Sequence, residues 1–303
     1  MSARRTVVTR YPTPATRGAE DPRANPVTTR DTMAAARRVV IKIGSSSLTT
    51  ATGLDVAAID RLVDVIAELR GRGTQVVLVS SGAIAAGFPH LGLDRRPKDT
   101  ANQQAAAAVG QGRLLAHYTH SFGRHETEVA QVLLTAEELM RRTQYTNAHR
   151  ALARLLTLDV MPIVNENDAV ATREIRFGDN DRLAALVAQL IGADALVLLS
   201  DIESLYTRPP GEPGARPIHT VEYGDDLAGY EFGSVVVNSV GTGGAATKVS
   251  AARLASASGV GVLVTSADLV FQALRGEDVG TWFAPNPQPA PPAGTAPVRV
   301  SEH

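Results

Sequence analysis

Six short runs of apolar, largely β-branched residues punctuate the chain: RVVIKIG (38–44), TQVVLVSSG (74–82), VAQVLL (129–134), VMPIVNEN (160–167), DALVLLSD (194–201) and GVGVLVTS (259–266). Runs of this length without polar alternation predict strands buried on both faces. Helical patterns separate most of them. Between the first two, LDVAAIDRLVDVIAELRGRG sets Val56, Ile59, Leu62, Val63, Ile66 and Leu69 on one face and then stops on glycine. Strand, helix, strand in repetition predicts the α/β class, with a mostly parallel sheet covered on both faces. In such sheets ligands bind beyond the carboxyl ends of the strands.

The ends of the chain break this pattern. The first 36 residues are rich in Arg, Thr and Pro, poor in acids and without apolar period, so residues 1–36 are expected to form a disordered leader. Either a transit peptide or a start upstream of a true beginning near Met33 explains that composition. Residues 285–303 carry six prolines between Pro285 and Pro297 and predict an extended tail. The folded body is expected over residues 37–284.

Composition excludes more than it selects. At 303 residues and 44% apolar content the chain can bury a full core. A formal net charge of -1 and a pI near 6.7 give no general attraction to nucleic acid or membrane surfaces. The absence of cysteine removes disulfides, thiolate metal sites and cysteine nucleophiles, which suits a cytoplasmic setting. No apolar run reaches the roughly 18 residues of a membrane span, and no signal peptide opens the chain, so no membrane partner is expected.

The chemistry gathers where strands end. Lys42 interrupts an apolar strand and Gly44 follows it, which fits an anion-binding turn or a snorkelling edge lysine. Ser80, Ser81 and Gly82 end the second strand at a helix start, which fits anion capture or a plain N-cap. Asn165, Glu166, Asn167 and Asp168 crowd one loop, beyond what a turn requires. Asp179, Asn180 and Asp181 precede an apolar helical run, where capping needs only one of them. Ser200 and Asp201 close another strand. Finally GTGGAATK opens a helix with Gly241, Gly243 and Gly244 able to wrap phosphate and Lys248 one turn inside. It is not a Walker A loop, which fails at Ala246 and Val249. His117, His120 and His125 form no metal set, and no G-x-S-x-G elbow exists. Two lysines and several acids around glycine turns suit phosphoryl transfer, in which positioning and charge neutralisation carry most of the catalysis.

Taken in order, VVIKIGSSSLT, VSSGAIAAG, AAAAVGQGRL, QVLLT, NENDAV, FGDND, LLSDIESLYT and GTGGAATK cover about residues 38–284. In this series the chain resembles the amino acid kinase family, and within it the glutamate 5-kinases. The resemblance implies a three-layer αβα sandwich around a mainly parallel sheet. It also implies phosphorylation of the γ-carboxylate of L-glutamate by ATP with Mg²⁺, the first step of proline synthesis. Carried over residue by residue, it implies catalytic roles for Lys42, Asp181 and Lys248, and a glutamate site at Ser81, Asp168 and Asn180. A nucleotide site is implied at Lys42, Gly44, Ser200, Asp201 and the stretch Thr242, Gly243, Gly244, Ala245, Ala246, Thr247 and Lys248. Feedback inhibition by proline, a homodimer or homotetramer, and glutamate-5-semialdehyde dehydrogenase as pathway partner are implied as well. No protein metal ligands are expected. Ser204 and Ala245 stand where the family commonly has glycine and methionine, and a proline-rich tail stands where many members carry a PUA domain. A sibling kinase of another small carboxylate, or a silent amino-acid-binding regulator, would share much of this pattern.

Overall fold

The computed structural model describes residues 27–50, 53–170, 179–230 and 244–289. The chain first forms β1 (Arg38–Ile43), a small hairpin of β2 (Thr49–Thr50) and β3 (Gly53–Leu54), α1 (Val56–Gly71) and β4 (Gln75–Ser80). There follow α2 (Ala83–Gly87), α3 (Thr100–Gly123), β5 (Val129–Leu134), α4 (Ala136–Leu139), α5 (Arg142–Thr157) and β6 (Met161–Glu166). The last part holds α6 (Asp179–Ile191), β7 (Ala195–Ser200), β8 (Thr220–Val221), α7 (Ala245–Ala257), β9 (Gly261–Ser266), α8 (Val270–Leu274) and β10 (Thr281–Phe283).

Among the described residues the main sheet has eight strands in the order β5-β6-β4-β1-β7-β9-β10-β8. The six strands read from the sequence are mutually parallel, and β10 runs antiparallel to β9. β1 lies between β4 and β7, so the chain leaves it in one direction through α1 and later reaches its other side through α6. That reversal makes the crevice above the carboxyl end of β1 the expected ligand position. Asp194 pins the opposite end of β1. Its Oδ2 accepts from the backbone N–H groups of Arg37 at 2.7 Å and Arg38 at 3.0 Å, tying the start of β1 to that of β7.

Alternation along the strands divides the core into two layers. Val40, Val77, Val79, Val164, Leu196 and Leu198 face α4, α5, α6 and α7. Val39, Ile41, Ile43, Leu78, Val197 and Leu199 face α1, α3 and α8. Each such fully buried aliphatic side chain stabilises the fold by about 1.5–3 kcal/mol. The result is the three-layer αβα sandwich. Lys42, two residues after Val40, falls by parity on the α6 and α7 side.

Four sequence expectations change. Residues 27–36 are part of the body: Arg30–Ala35 form a 3-10 turn, and Val27, Met33 and Ala36 are buried in the α1/α8 layer. Their few apolar side chains suffice because they fill one gap in a core that other elements build. The remainder of the expected leader, residues 1–26, lies outside the described residues. β5 is half-buried, because it is the edge strand and only one side of it is covered. Val56 is 42% exposed, since it is the first residue of α1, where Asp55 caps the helix by accepting from Ala58 N–H at 2.9 Å. The start of the expected tail is docked: Asn286 donates from its backbone N–H to Ser256 O at 2.8 Å and from Nδ2 to Ala257 O at 3.3 Å.

One helix crossing is unusually close. A Cβ placed on Gly87 of α2 would meet Ala106 O of α3 at 1.9 Å, and one on Gly110 would meet Ala83 O at 1.7 Å. The two helices therefore touch main chain to main chain, which only glycine permits at these positions.

Candidate functional site

Lys42 is 6% exposed near the carboxyl end of β1, paired in register with Val79 of β4 and Leu198 of β7. A buried ammonium needs a counter-charge. Asp181, in the first turn of α6 and 1% exposed, supplies it, with Oδ1 at 2.5 Å from Lys42 Nζ. Its other oxygen, Oδ2, lies 3.5 Å from Lys248 Nζ and accepts from Thr247 Oγ1 at 3.1 Å. Thr247 Oγ1 is also 2.8 Å from Gly244 O, so its single proton is shared between two acceptors. Lys248 is buried in the first turn of α7, directly after the glycine-rich stretch.

Two cations against one carboxylate leave this buried cluster with an excess positive charge. The amino ends of α6 and α7 point the same way and add to it. Burial lowers the pKa of Lys42, the Asp181 carboxylate works against that fall, and neighbouring Lys248 reinforces it. The exposed carboxylate of Asp201 also acts on Lys42 in the raising direction. For Asp181 burial acts upward, but the ammonium groups of Lys42 and Lys248 with their hydrogen bonds outweigh it and hold the carboxyl below its ordinary value. The Gly44 turn lies directly before the ammonium, where a Cβ would stand 3.6 Å from Lys42 Nζ in ordinary contact. An anion brought to this place would meet buried cations at a dipole-favoured position.

Asn180 precedes Asp181 on α6 and turns to a second, neutral cluster. Its Nδ2 donates to Ser81 Oγ at 2.7 Å, Asn165 Oδ1 at 3.2 Å and, weakly, Ser80 O at 3.5 Å. Among the described residues, its buried Oδ1 has no hydrogen-bond partner. Ser81 sits at the end of β4, where Gly82 takes φ of 108°, a left-handed value that favours glycine, and so starts α2. Asp168 is half-buried in the turn after β6, and its charge acts on the Arg96 guanidinium, opposing the fall that burial imposes there. Ser200 is buried and donates to Asp201 Oδ1 at 3.1 Å. Both line a cleft of about 530 Å³ with Ser46, Ser47, Ser266 and Phe271, above the ends of β1, β7 and β9.

The structure thus brings Lys42, Asp181 and Lys248 together, with Thr247 and Gly244 beside them. It joins Ser81 to Asn180 next door, and sets Asp168, Ser200 and Asp201 on the same sheet edge. Ala245 and Ala246 form the first turn of α7. Thr242 and Gly243, like Gly241, lie outside the described residues. Sequence reasoning passed over Gln111, Tyr118 and Arg96, and it noted Asn165 only as one member of a polar loop. Gln111 stands beside Gly110 in a small-residue helix, and a buried helical face running through Leu114 and Tyr118 was the signal for it.

A sequence profile of the amino acid kinase family matches residues 37–266. The chain belongs to the amino acid kinase family. It is similar to family members named glutamate 5-kinase at high identity. That of Clavibacter michiganensis is 60% identical over 253 residues, covering 84% of this chain and 96% of the relative. That of Leifsonia xyli is 58% identical over 256 residues, covering 84% and 94%. That of Salinispora arenicola is 58% identical over 260 residues, covering 86% of this chain and 70% of the relative. Among solved structures, carbamate kinase from Giardia lamblia bound to AMP-PNP superposes with a TM-score of 0.60 at 17% identity, covering 84% of this chain and 100% of that one. UMP kinase from Bacillus anthracis gives 0.55 at 15% identity, covering 82% and 96%. At those identities the two structures establish the amino acid kinase fold. Among the described residues of this family member, no helix is long and apolar enough to cross a membrane.

Proposed function

We propose that this kinase transfers the γ-phosphoryl group of ATP to the γ-carboxylate of L-glutamate, giving L-glutamyl 5-phosphate and ADP. The observation that carries the reading is the adjacency of two unlike clusters on one helix end. Asp181 gathers two buried lysines, and Asn180 opens onto an uncharged polar pocket. The first suits a transferring phosphoryl group, and the second suits the polar backbone end of an amino acid.

A glutamate γ-carboxylate, with an ordinary pKa near 4.3, is already ionised at neutral pH and needs no general base. One of its oxygens forms a bond to the γ-phosphorus while the bond from that phosphorus to the β–γ bridging oxygen breaks, and the electron pair leaves on ADP. The obstacle is repulsion between two anions. Lys42 and Lys248 lower it by facing the phosphoryl oxygens, and Asp181 holds both ammonium groups in place without cancelling them. Gly244, Ala245, Ala246 and Thr247 bring the amino end of α7 to the nucleotide phosphates, with Thr242 and Gly243 just before them. Ser200, Asp201 and Gly44 complete the nucleotide side. Ser81, Asn180 and Asp168 take the α-amino end of glutamate, with Asp168 opposite the ammonium.

Among the described residues no group of three or more His, Cys, Asp or Glu side chains is placed to hold a metal ion. Mg²⁺ would be carried on the nucleotide, because it keeps several waters and binds chiefly through phosphate oxygens. When bound, Mg²⁺ would add charge neutralisation on the nucleotide phosphates. On the same reading proline competes at or beside the glutamate pocket, the enzyme works as a cytoplasmic homodimer or homotetramer, and glutamate-5-semialdehyde dehydrogenase consumes the product.

The test is to incubate the protein with MgATP, hydroxylamine and separate acids and to measure hydroxamate from the acyl phosphate. Hydroxamate with L-glutamate and little with L-aspartate or N-acetyl-L-glutamate supports the assignment. Signal with another acid moves the substrate, and silence from protein that binds MgATP moves the function to a regulator.

A further inference from the structure

Behind the neutral pocket, α3 contributes a buried amide that the chemistry above does not use. Gln111 is 9% exposed, and among the described residues its three side-chain hydrogen bonds go to β5 and β6. Its Nε2 donates to Glu166 O at 3.3 Å, and its Oε1 accepts from Gln131 Nε2 at 3.0 Å and Asn165 Nδ2 at 3.2 Å. The direction of these bonds is fixed by chemistry, because a backbone carbonyl oxygen only accepts. Glu166 O therefore takes the Gln111 amino group and turns the Gln111 oxygen toward Asn165.

Asn165 must then give its amino group to Gln111. Its own oxygen is left to accept from Glu166 N–H at 2.8 Å and from Asn180 Nδ2 at 3.2 Å. Asn180, committed to donating, keeps Oδ1 as a buried acceptor with no partner among the described residues. The chain of amides thus carries one polarity from α3 to the pocket. We propose that Gln111 is a positioning residue, which through Asn165 fixes the amide orientation of Asn180 so that the pocket offers an acceptor to the ammonium group of an amino-acid substrate.

With Asn180 turned over, an amino group would face that ammonium and two donors would oppose each other. Removing Gln111 leaves the Asn165 amino group, 3% exposed, without that acceptor, so only the Glu166 N–H bond still holds the Asn165 amide in this orientation. This inference rests on the proposed glutamate site, so its test needs a readout that does not depend on turnover.

The full chain carrying Gln111→Met, which keeps length but makes no hydrogen bond, is compared with wild type by ADP release and by calorimetric binding of L-glutamate. The expected result is a rise of about tenfold or more in glutamate KM and Kd, with ATP KM within about twofold. Gln111→Glu keeps the acceptor for Asn165 but sets a second acceptor against Glu166 O. Its defect shrinks as pH is lowered and the new carboxyl gains a proton to donate. In an Asn180→Ala background, Gln111→Met adds no further loss, because its effect passes through Asn180. Unchanged glutamate KM and Kd with a lowered Tm would mean that Gln111 only packs, and additive losses would mean that it acts by another route. Either overturns the proposal. Wild type that binds L-glutamate without turning it over refutes the kinase reading alone, while wild type that does neither refutes both.

Discussion

Asp181→Asn removes one charge and nearly no volume from a place where two ammonium groups depend on it. Lys42 and Lys248 are each 7% exposed at the side chain and Asp181 1%, so the substitution strands cations rather than releasing them to water. Breaking a buried pair in this way costs about 3–5 kcal/mol, and a site that opens toward a substrate sits at the lower end. At about 2–4 °C per kcal/mol for a domain of this size, Tm falls by roughly 6–12 °C near neutral pH. The loss has a pH signature. Asp181 has a depressed pKa in the fold, so its stabilisation is complete above the ordinary aspartate value and disappears as pH falls through the folded one. Lys42 is also depressed, so the folded state sheds its proton at lower pH than the unfolded chain, and stability rises with pH across that interval. Without the Asp181 carboxylate that interval opens at lower pH. The Tm deficit of the variant is therefore greatest near neutrality and narrows in both acid and alkali. Thermal unfolding from about pH 2 to 10 measures it directly. A variant curve parallel to wild type within about 1 °C over that range would refute the account of the cluster.

Other substitutions separate the remaining parts. Lys42→Met and Lys248→Met should each lower hydroxamate formation by about 10²–10³, the usual loss on removing one transition-state donor, with the fold retained by circular dichroism. Saturating MgATP at about 100 times its Kd should stabilise the protein by about 2.7 kcal/mol, seen as a rise in Tm, and no rise would count against a nucleotide site. Gly110→Ala drives a Cβ into Ala83 O and should cost at least about 1–3 kcal/mol by denaturant unfolding, whereas Gly112→Ala, with open space around it, should not. Tyr118→Phe removes the bond between the buried hydroxyl groups of Tyr118 and Ser80 at 2.8 Å and should cost about 1 kcal/mol by the same measurement.

The parallel core was legible because its inner strands, buried on both faces, must be written as unbroken apolar runs. β10 and β8 were not, since strands of three and two residues carry no period. β10 is placed by fit instead: Trp282 covers Gly261, where a Cβ would meet the ring at 2.3 Å. Met33 was lost in a polar stretch because one buried side chain makes no pattern. Lys42, Asp181 and Lys248 could be picked out by position, each being polar or charged at a strand or helix end. Their meeting on one carboxylate depends on β1 lying between β4 and β7, and no local spacing records that. Gln111 was hidden for the opposite reason. It sits mid-helix, far along the sequence from any strand end, and meets the end of β6 only in the fold.

The main-chain contact between Gly87 and Gly110 has a consequence for changing what this enzyme accepts. Ser81 leads into α2 and Gln111 rides on α3, so the distance between two sides of the proposed amino-acid pocket is set where the helices touch without side chains between them. No exchange of side chains at that crossing can narrow the gap, and any enlargement there wedges the helices apart. Attempts to admit a longer or shorter acid should therefore leave the α2–α3 crossing alone and act on the turn after β6, where Asp168 is half-buried and Ala169 and Val170 are exposed.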